Sequence, residues 1–161
     1  MNRSVRFTVQ AALVAAMYVA LTYLQNFLIP GSATWAIQFR VSEALCVLAM
    51  FTPAAVPGLA VGCFLFNISY AGALPLDFAV GTLATVVAAQ GMRWLRKHPW
   101  VAFSLPAVSN ALLVGWELTC YVGGGFWLNA LLVAIGELVV LYTLGAALYM
   151  VMKSHRSRLF G

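Results

Sequence analysis

Acids and bases occupy different places in this chain, and that segregation limits its possible folds more than any other feature. Arg3 and Arg6, then Arg93, Arg96 and Lys97, then Lys153, Arg156 and Arg158 form three short basic clusters. The acids Glu43, Asp77, Glu117 and Glu137 lie inside or against apolar runs, and the one remaining base, Arg40, stands beside the first of them. With 63% hydrophobic and 8% charged residues, the 161-residue chain cannot cover a water-facing surface. Its apolar runs are long enough to cross a bilayer, whose hydrocarbon core takes about 20 helical residues. They lack the dyad alternation of membrane strands, so an all-α integral membrane protein is predicted. The net charge of +5 is then no nucleic-acid signal but the mark of bases held at the ends of spans.

Cys46, Cys63 and Cys120 are dispersed in apolar runs without CxxC spacing, which argues against a disulfide framework or a metal site. They read as small buried hydrophobes. Residues 1–6 are basic and 7–29 apolar, as in a signal peptide, but the run is too long for a signal core and reads as a retained first helix.

That first helix stops at Pro30-Gly31, and a more polar loop over 32–38 follows. The apolar stretch 41–72 is interrupted at Thr52-Pro53 and Pro57-Gly58, so it is either one kinked helix or two short antiparallel ones. With the N-terminus cytoplasmic, a single span would leave the Arg93/Arg96/Lys97 cluster outside. A fold-back at the prolines returns that cluster and the C-terminal one to the cytoplasm, as the positive-inside rule requires. One domain over 1–161 is therefore predicted, with six transmembrane helices near 7–29, 40–52, 55–71, 75–92, 100–121 and 127–152 and both termini cytoplasmic. The second and third are short, and short or Pro-interrupted segments point to binding sites in transport proteins.

Placing the remaining polar residues in depth gathers them in the outer half. Arg40 and Glu43 fall at the outer end of the second helix, Asn67 near the outer end of the third and Asp77 at the outer start of the fourth. Glu117 is one turn below the outer end of the fifth helix, with Asn110 two turns further down the same face. Glu137 lies roughly 15 Å into the sixth. A charge at a helix centre costs roughly 2.5–3.5 kcal/mol, so such residues face a bundle interior or a water-filled cavity. Four carboxyls against one guanidinium favour donor-rich or cationic ligands. Trp35, Tyr70, Trp116 and Trp127 lie at the same level and could stack on a flat ring.

Each of these residues has a purely structural reading too. Asp77 follows Pro75 in a first helical turn, where an acid complements the helix dipole. Arg40 and Glu43 could pair only with each other. The tryptophans could form an interfacial belt, the asparagines could join helices, and Glu137 could be protonated and structural. Glu117 is harder to explain this way, because no base nearby in sequence can pair with it. On the first helix, Ala12, Ala16 and Ala20 form a small-residue ridge, backed by Ala11 and Ala15, which allows close helix approach. The ridge fits packing within the bundle or against another protein. Walker, HExxH and GxSxG motifs are absent, so no enzyme and no ATPase is predicted.

These residues together resemble the queuosine-precursor transporter family (QueT), substrate-binding S components of energy-coupling factor (ECF) transporters. The resemblance rests on the 37–45 segment IQFRVSEAL, on Pro57-Gly58-Leu59 with Gly62-Cys63, and on Asn67 and Leu76-Asp77. It continues through Gly81-Thr82-Leu83-Ala84-Thr85, Asn110, Val114-Gly115-Trp116-Glu117-Leu118 and Gly136-Glu137-Leu138. It implies a six-helix bundle in a bacterial cytoplasmic membrane, with an outward-facing pocket and a lid formed by the loop after the first helix, here 31–38 with Trp35. It implies partners as well: small residues on the first helix dock onto a transmembrane coupling subunit driven by two cytoplasmic ATPases. The substrate it implies is a 7-deazaguanine such as 7-aminomethyl-7-deazaguanine. Glu117 or Glu137 would take the Watson–Crick edge, with Asn110 assisting and Arg40 and Glu43 at the rim. The competing readings are a dimeric proton-coupled secondary transporter using Glu137, and a non-transporting membrane scaffold.

Overall fold

The computed structural model describes residues 2–32 and 39–155, which are helical apart from turns and short connections. The first helix, α1, runs Arg3–Leu28 and opens on Asn2, whose side chain accepts from the Ser4 N–H at 3.4 Å. It ends where Pro30 removes a donor and Gly31 turns at φ 82°, a left-handed backbone that favours glycine.

The segment that follows is the centre of the molecule. Val41–Met50 is a 3-10 helix, and every side chain from Ser42 to Met50 is buried. At about 2.0 Å per residue its 10 residues reach about 20 Å, where an α-helix of that length would reach about 15 Å. Its sequence, VSEALCVLAM, is apolar all round apart from Ser42 and Glu43, as a helix enclosed on every side must be. It packs against α1 and against the later helices on its other sides.

After a turn at Thr52–Ala54 the chain reverses into α2, Ala55–Ser69. Pro57 falls in the first turn of α2, where a missing N–H leaves no helical bond unmade. Pairings along α1 establish the directions. Ser42 meets Thr22 and Thr52 meets Gln10, so the 3-10 helix runs antiparallel to α1. Gly58 lies against Ala11 and Val14, Gly62 against Ala15 and Tyr18, and Ser69 against Tyr23, so α2 runs parallel to it. The stretch interrupted at Pro53 and Pro57-Gly58 is thus two antiparallel pieces rather than one kinked rod.

Helix α3, Asp77–Trp94, returns alongside α2, and the short α4, Pro99–Ala102, leads into α5, Ser104–Tyr121. Helix α6, Phe126–Val140, runs antiparallel to α5. It continues through one π turn at Leu141–Gly145 into α7, Ala146–Ser154. Three stretches are long and apolar enough to cross a membrane: Arg3–Leu28, Pro99–Tyr121 and Phe126–Ser154; Val41–Met50 and Ala55–Ser69 are shorter apolar helices.

The main core surrounds the 3-10 helix, with Leu45, Val47, Leu59, Met92, Phe103 and Leu141 buried together. The outside is also apolar. Leu13, Val61, Leu83, Val87, Leu112 and Leu131 are exposed on five helices, an exterior that suits lipid and not water. The two ends differ in polarity. Arg96, Lys97 and Lys153 share one cavity at the end where the 3-10 helix finishes. The acids gather towards the opposite end.

Candidate binding site

Glu43 sits in the first turn of the 3-10 helix and is completely buried. One oxygen accepts from the Tyr18 hydroxyl at 2.7 Å and from Thr85 at 3.3 Å, and the other accepts from the Cys46 thiol at 3.2 Å. This carboxyl therefore ties α1, the 3-10 helix and α3 together. The α1 side is a polar stripe of helical period: Tyr18, Thr22, Gln25 and Asn26, all buried. The Thr22 hydroxyl lies 2.7 Å from that of Ser42, and Gln25 accepts from the Val41 N–H at 2.8 Å. Gln25 also donates to Ser32 at 2.9 Å and to the Phe39 carbonyl. Both flanks of the 32–39 segment are thereby fastened to α1.

Arg40 immediately precedes the 3-10 helix, and its side chain is buried. Its guanidinium lies beside the α3 backbone at Gly81, where a Cβ would sit at an ordinary 3.6 Å from Arg40 Nη1 but would crowd Asn67 Nδ2 at 3.0 Å. Asn67, near the end of α2, donates to the Asp77 carbonyl at 2.8 Å. Asp77 folds back on its own loop and accepts from the Leu74 N–H at 2.6 Å. Asp77 and Glu43 act electrostatically on Arg40, and Arg40 in turn acts on Glu117 and Glu137.

Glu117 and Asn110 come from α5 and Glu137 from α6. The two helices approach closely because a Cβ on Gly115 would lie only 2.8 Å from Ala130 Cα. Asn110 Nδ2 donates to Glu137 Oε1 at 3.0 Å across this seam. Glu117, on the same face of α5, is completely buried next to Asp77. With Asp77 beside it ionised, neither oxygen of Glu117 receives a hydrogen bond among the described residues, and Glu137 Oε2, Asn110 Oδ1 and Asn67 Oδ1 receive none either. All five atoms are acceptors. Leaving one such group buried and unmatched costs about 1–3 kcal/mol, and more when it is charged. Their shared deficit is of donors, which is what a ligand rich in N–H groups would supply.

The predicted site residues divide into groups. Arg40, Glu43, Asn67, Asp77, Asn110, Glu117 and Glu137 are all buried and belong to this cluster. Trp116 and Trp127 lie on the exterior, 50% and 79% exposed. Tyr70 stacks on Phe66 with ring centroids 5.1 Å apart. Trp35 lies outside the described residues. Tyr18, Thr22, Ser42 and Thr85 also join the cluster without being among the predicted site residues, although the three- and four-residue spacing of Tyr18, Thr22, Gln25 and Asn26 is a visible signal for the first two. The alanines of α1 serve two faces. Ala11 and Ala15 turn backbone carbonyls to Gly58 and Gly62, with a Cβ on Gly58 only 2.6 Å from Ala11 O. Ala12, Ala16 and Ala20 are exposed.

No curated protein and no solved structure matches the chain at a significant level. The sequence model of the QueT transporter family matches residues 8–154, nearly the whole chain. An apolar exterior, spans long enough for a bilayer and a buried polar cluster are the features of a membrane transporter, and the chain belongs to the QueT transporter family.

Proposed function

We propose that the protein is the substrate-capturing S component of an ECF-type importer, taking up a queuosine precursor such as 7-aminomethyl-7-deazaguanine. In this reading the α4–α5 pair and the α6–α7 rod each form one span. With α1, the 3-10 helix, α2 and α3 they make six, and both termini are cytoplasmic. The alternating directions of the helices and the shared basic end support that topology. The membrane is then the bacterial cytoplasmic one, and the acid cluster faces outward.

The observation that carries the reading is the set of five buried acceptor oxygens on Glu117, Glu137, Asn110 and Asn67 that lack donors among the described residues. A 7-deazaguanine offers a ring N–H and an amino group side by side, which one carboxylate accepts as a pair. Its carbonyl requires a donor, and Arg40 is the one base outside the clusters. An aminomethyl substituent is cationic and matches a surplus of three acids over that base. Glu117 takes the base edge in this scheme, and Asn110 with Glu137 reads a second donor. Arg40 orients the carbonyl, and Glu43 and Asp77 hold Arg40 in place. Binding and release are the whole task of this chain; the energy comes from partner ATPases through a coupling subunit.

The exposed Ala12/Ala16/Ala20 ridge supports the partner half of the proposal, because the close packing of α1 within the bundle uses Ala11 and Ala15 instead. Binding of 7-aminomethyl-7-deazaguanine to the purified protein, measured by calorimetry, tests the capture step. Uptake into liposomes by the protein alone, driven by a pH gradient, would instead indicate a proton-coupled secondary transporter.

A further inference from the structure

At the end of the bundle opposite the acid cluster, the turn after α3, the end of the 3-10 helix and α7 form a cavity of about 290 Å³. Arg96 and Lys97 line it from that turn, Lys153 from the last turn of α7, and Met50, Phe51 and Tyr149 complete its walls. None of the residues lining it is acidic. Three cations thus share one recess with no carboxylate in its lining, an arrangement that favours an anion from outside.

A second cavity, also about 290 Å³, lies on the neighbouring face of α7. Its walls are mostly apolar, with Leu13 and Met17 of α1, Leu45 and Leu48 of the 3-10 helix and Leu148 and Met152 of α7, and the hydrogen-bonded pair Gln10 and Thr52 also lines it. Tyr149 and Lys153 border the basic recess, and Leu148 and Met152, one position earlier in each turn, border the apolar one. A charged recess next to an apolar groove matches a molecule with an anionic head and a hydrocarbon tail. A free phosphate or nucleotide would have no use for the groove.

We propose that this end of the bundle is a specific binding site for an anionic phospholipid. The phosphate sits among Arg96, Lys97 and Lys153, and one acyl chain lies along Leu45, Leu48, Leu148 and Met152. A doubly charged headgroup of the cardiolipin kind satisfies three cations better than the single charge of phosphatidylglycerol. The site is independent of the substrate assigned to the acid cluster.

Native mass spectrometry of the detergent-purified protein, titrated with cardiolipin, phosphatidylglycerol or phosphatidylcholine, tests this directly. The expected order of affinity is cardiolipin, then phosphatidylglycerol, then phosphatidylcholine. Replacing Arg96, Lys97 and Lys153 together by glutamine should weaken cardiolipin binding by roughly tenfold or more. Arg3→Gln with Arg93→Gln removes basic charge at the same end but outside this recess and should leave the affinity within about twofold. If the triple variant is poorly folded, the single Lys153→Gln should still show an intermediate loss. Equal loss in the control pair would reduce the effect to general surface charge and overturn the proposal. So would displacement of the lipid by millimolar inorganic phosphate, which would make the recess a free-anion site. Lipid retention unchanged in both variants would also overturn it.

Discussion

The Tyr18 hydroxyl donates to Glu43 at 2.7 Å, joining the helix that carries the exposed alanine ridge to the segment that carries Arg40. Both side chains are buried, at 1% and 0% exposure, so neither has water as an alternative partner. Any tilt of α1 relative to the 3-10 helix must break or carry along this bond. With the Thr22–Ser42 and Gln25–Val41 bonds it physically links the proposed partner face to the proposed pocket.

Tyr18→Phe removes that donor and leaves one Glu43 oxygen with only the longer Thr85 contact. The variant should lose about 1–3 kcal/mol of stability. It should appear as a lower thermal midpoint in detergent. Tyr18→Phe with Glu43→Gln should cost less than the sum of the two single changes, since both act on one bond. Additive costs would mean the pair is not coupled.

The two alanine faces of α1 should separate in mutagenesis. Gly62→Val would push side-chain atoms into Tyr18, whose Cβ already lies 2.7 Å from where a Cβ at 62 would stand, and Gly58→Val would strike the Ala11 carbonyl. Both should destabilise the isolated protein, by about 2 kcal/mol or more. Ala16→Leu adds bulk on an exposed face and should leave stability and ligand binding intact while preventing co-purification with the coupling subunit. Co-purification unaffected by Ala16→Leu would remove the partner role of the ridge.

A Cβ at Gly81 would crowd the Asn67 amide at 3.0 Å, and the Arg40 guanidinium lies just beyond at 3.6 Å, so a branched side chain would meet both. Gly81→Val should displace both and weaken binding of the 7-deazaguanine at least tenfold, with expression and assembly retained. Gly91→Ala, further along α3 where only the mobile end of Leu105 is near, is the matching control and should bind normally.

Much of this was legible before any coordinates. The basic clusters and the prolines at 53 and 57 indicated a fold-back, because hydropathy alone cannot distinguish a kinked rod from a hairpin but charge placement can. The convergence of Arg40, Asp77, Glu117 and Glu137 followed from depth counting, since an expensive charge has few places to go. The 3-10 conformation of Val41–Met50 was hidden, because residue types do not signal how tightly a buried helix is wound. The role of Tyr18 was missed because the alanine ridge drew the reading of α1 to its other face. The outward positions of Trp116 and Trp127 turn on helix rotation, which residue depth does not fix.

Glu117 is the centre of the account, a fully buried carboxyl with both oxygens lacking a hydrogen-bond donor among the described residues. Glu117→Gln keeps the shape and replaces one acceptor by a donor, which the paired N–H groups of the ligand cannot use. Calorimetry of 7-aminomethyl-7-deazaguanine binding to the purified wild type and to this variant is the direct measurement. The account predicts tight binding by the wild type and at least a hundredfold loss in Glu117→Gln, about 2.7 kcal/mol, with the fold intact by thermal midpoint. Equal affinity in the two proteins would contradict it.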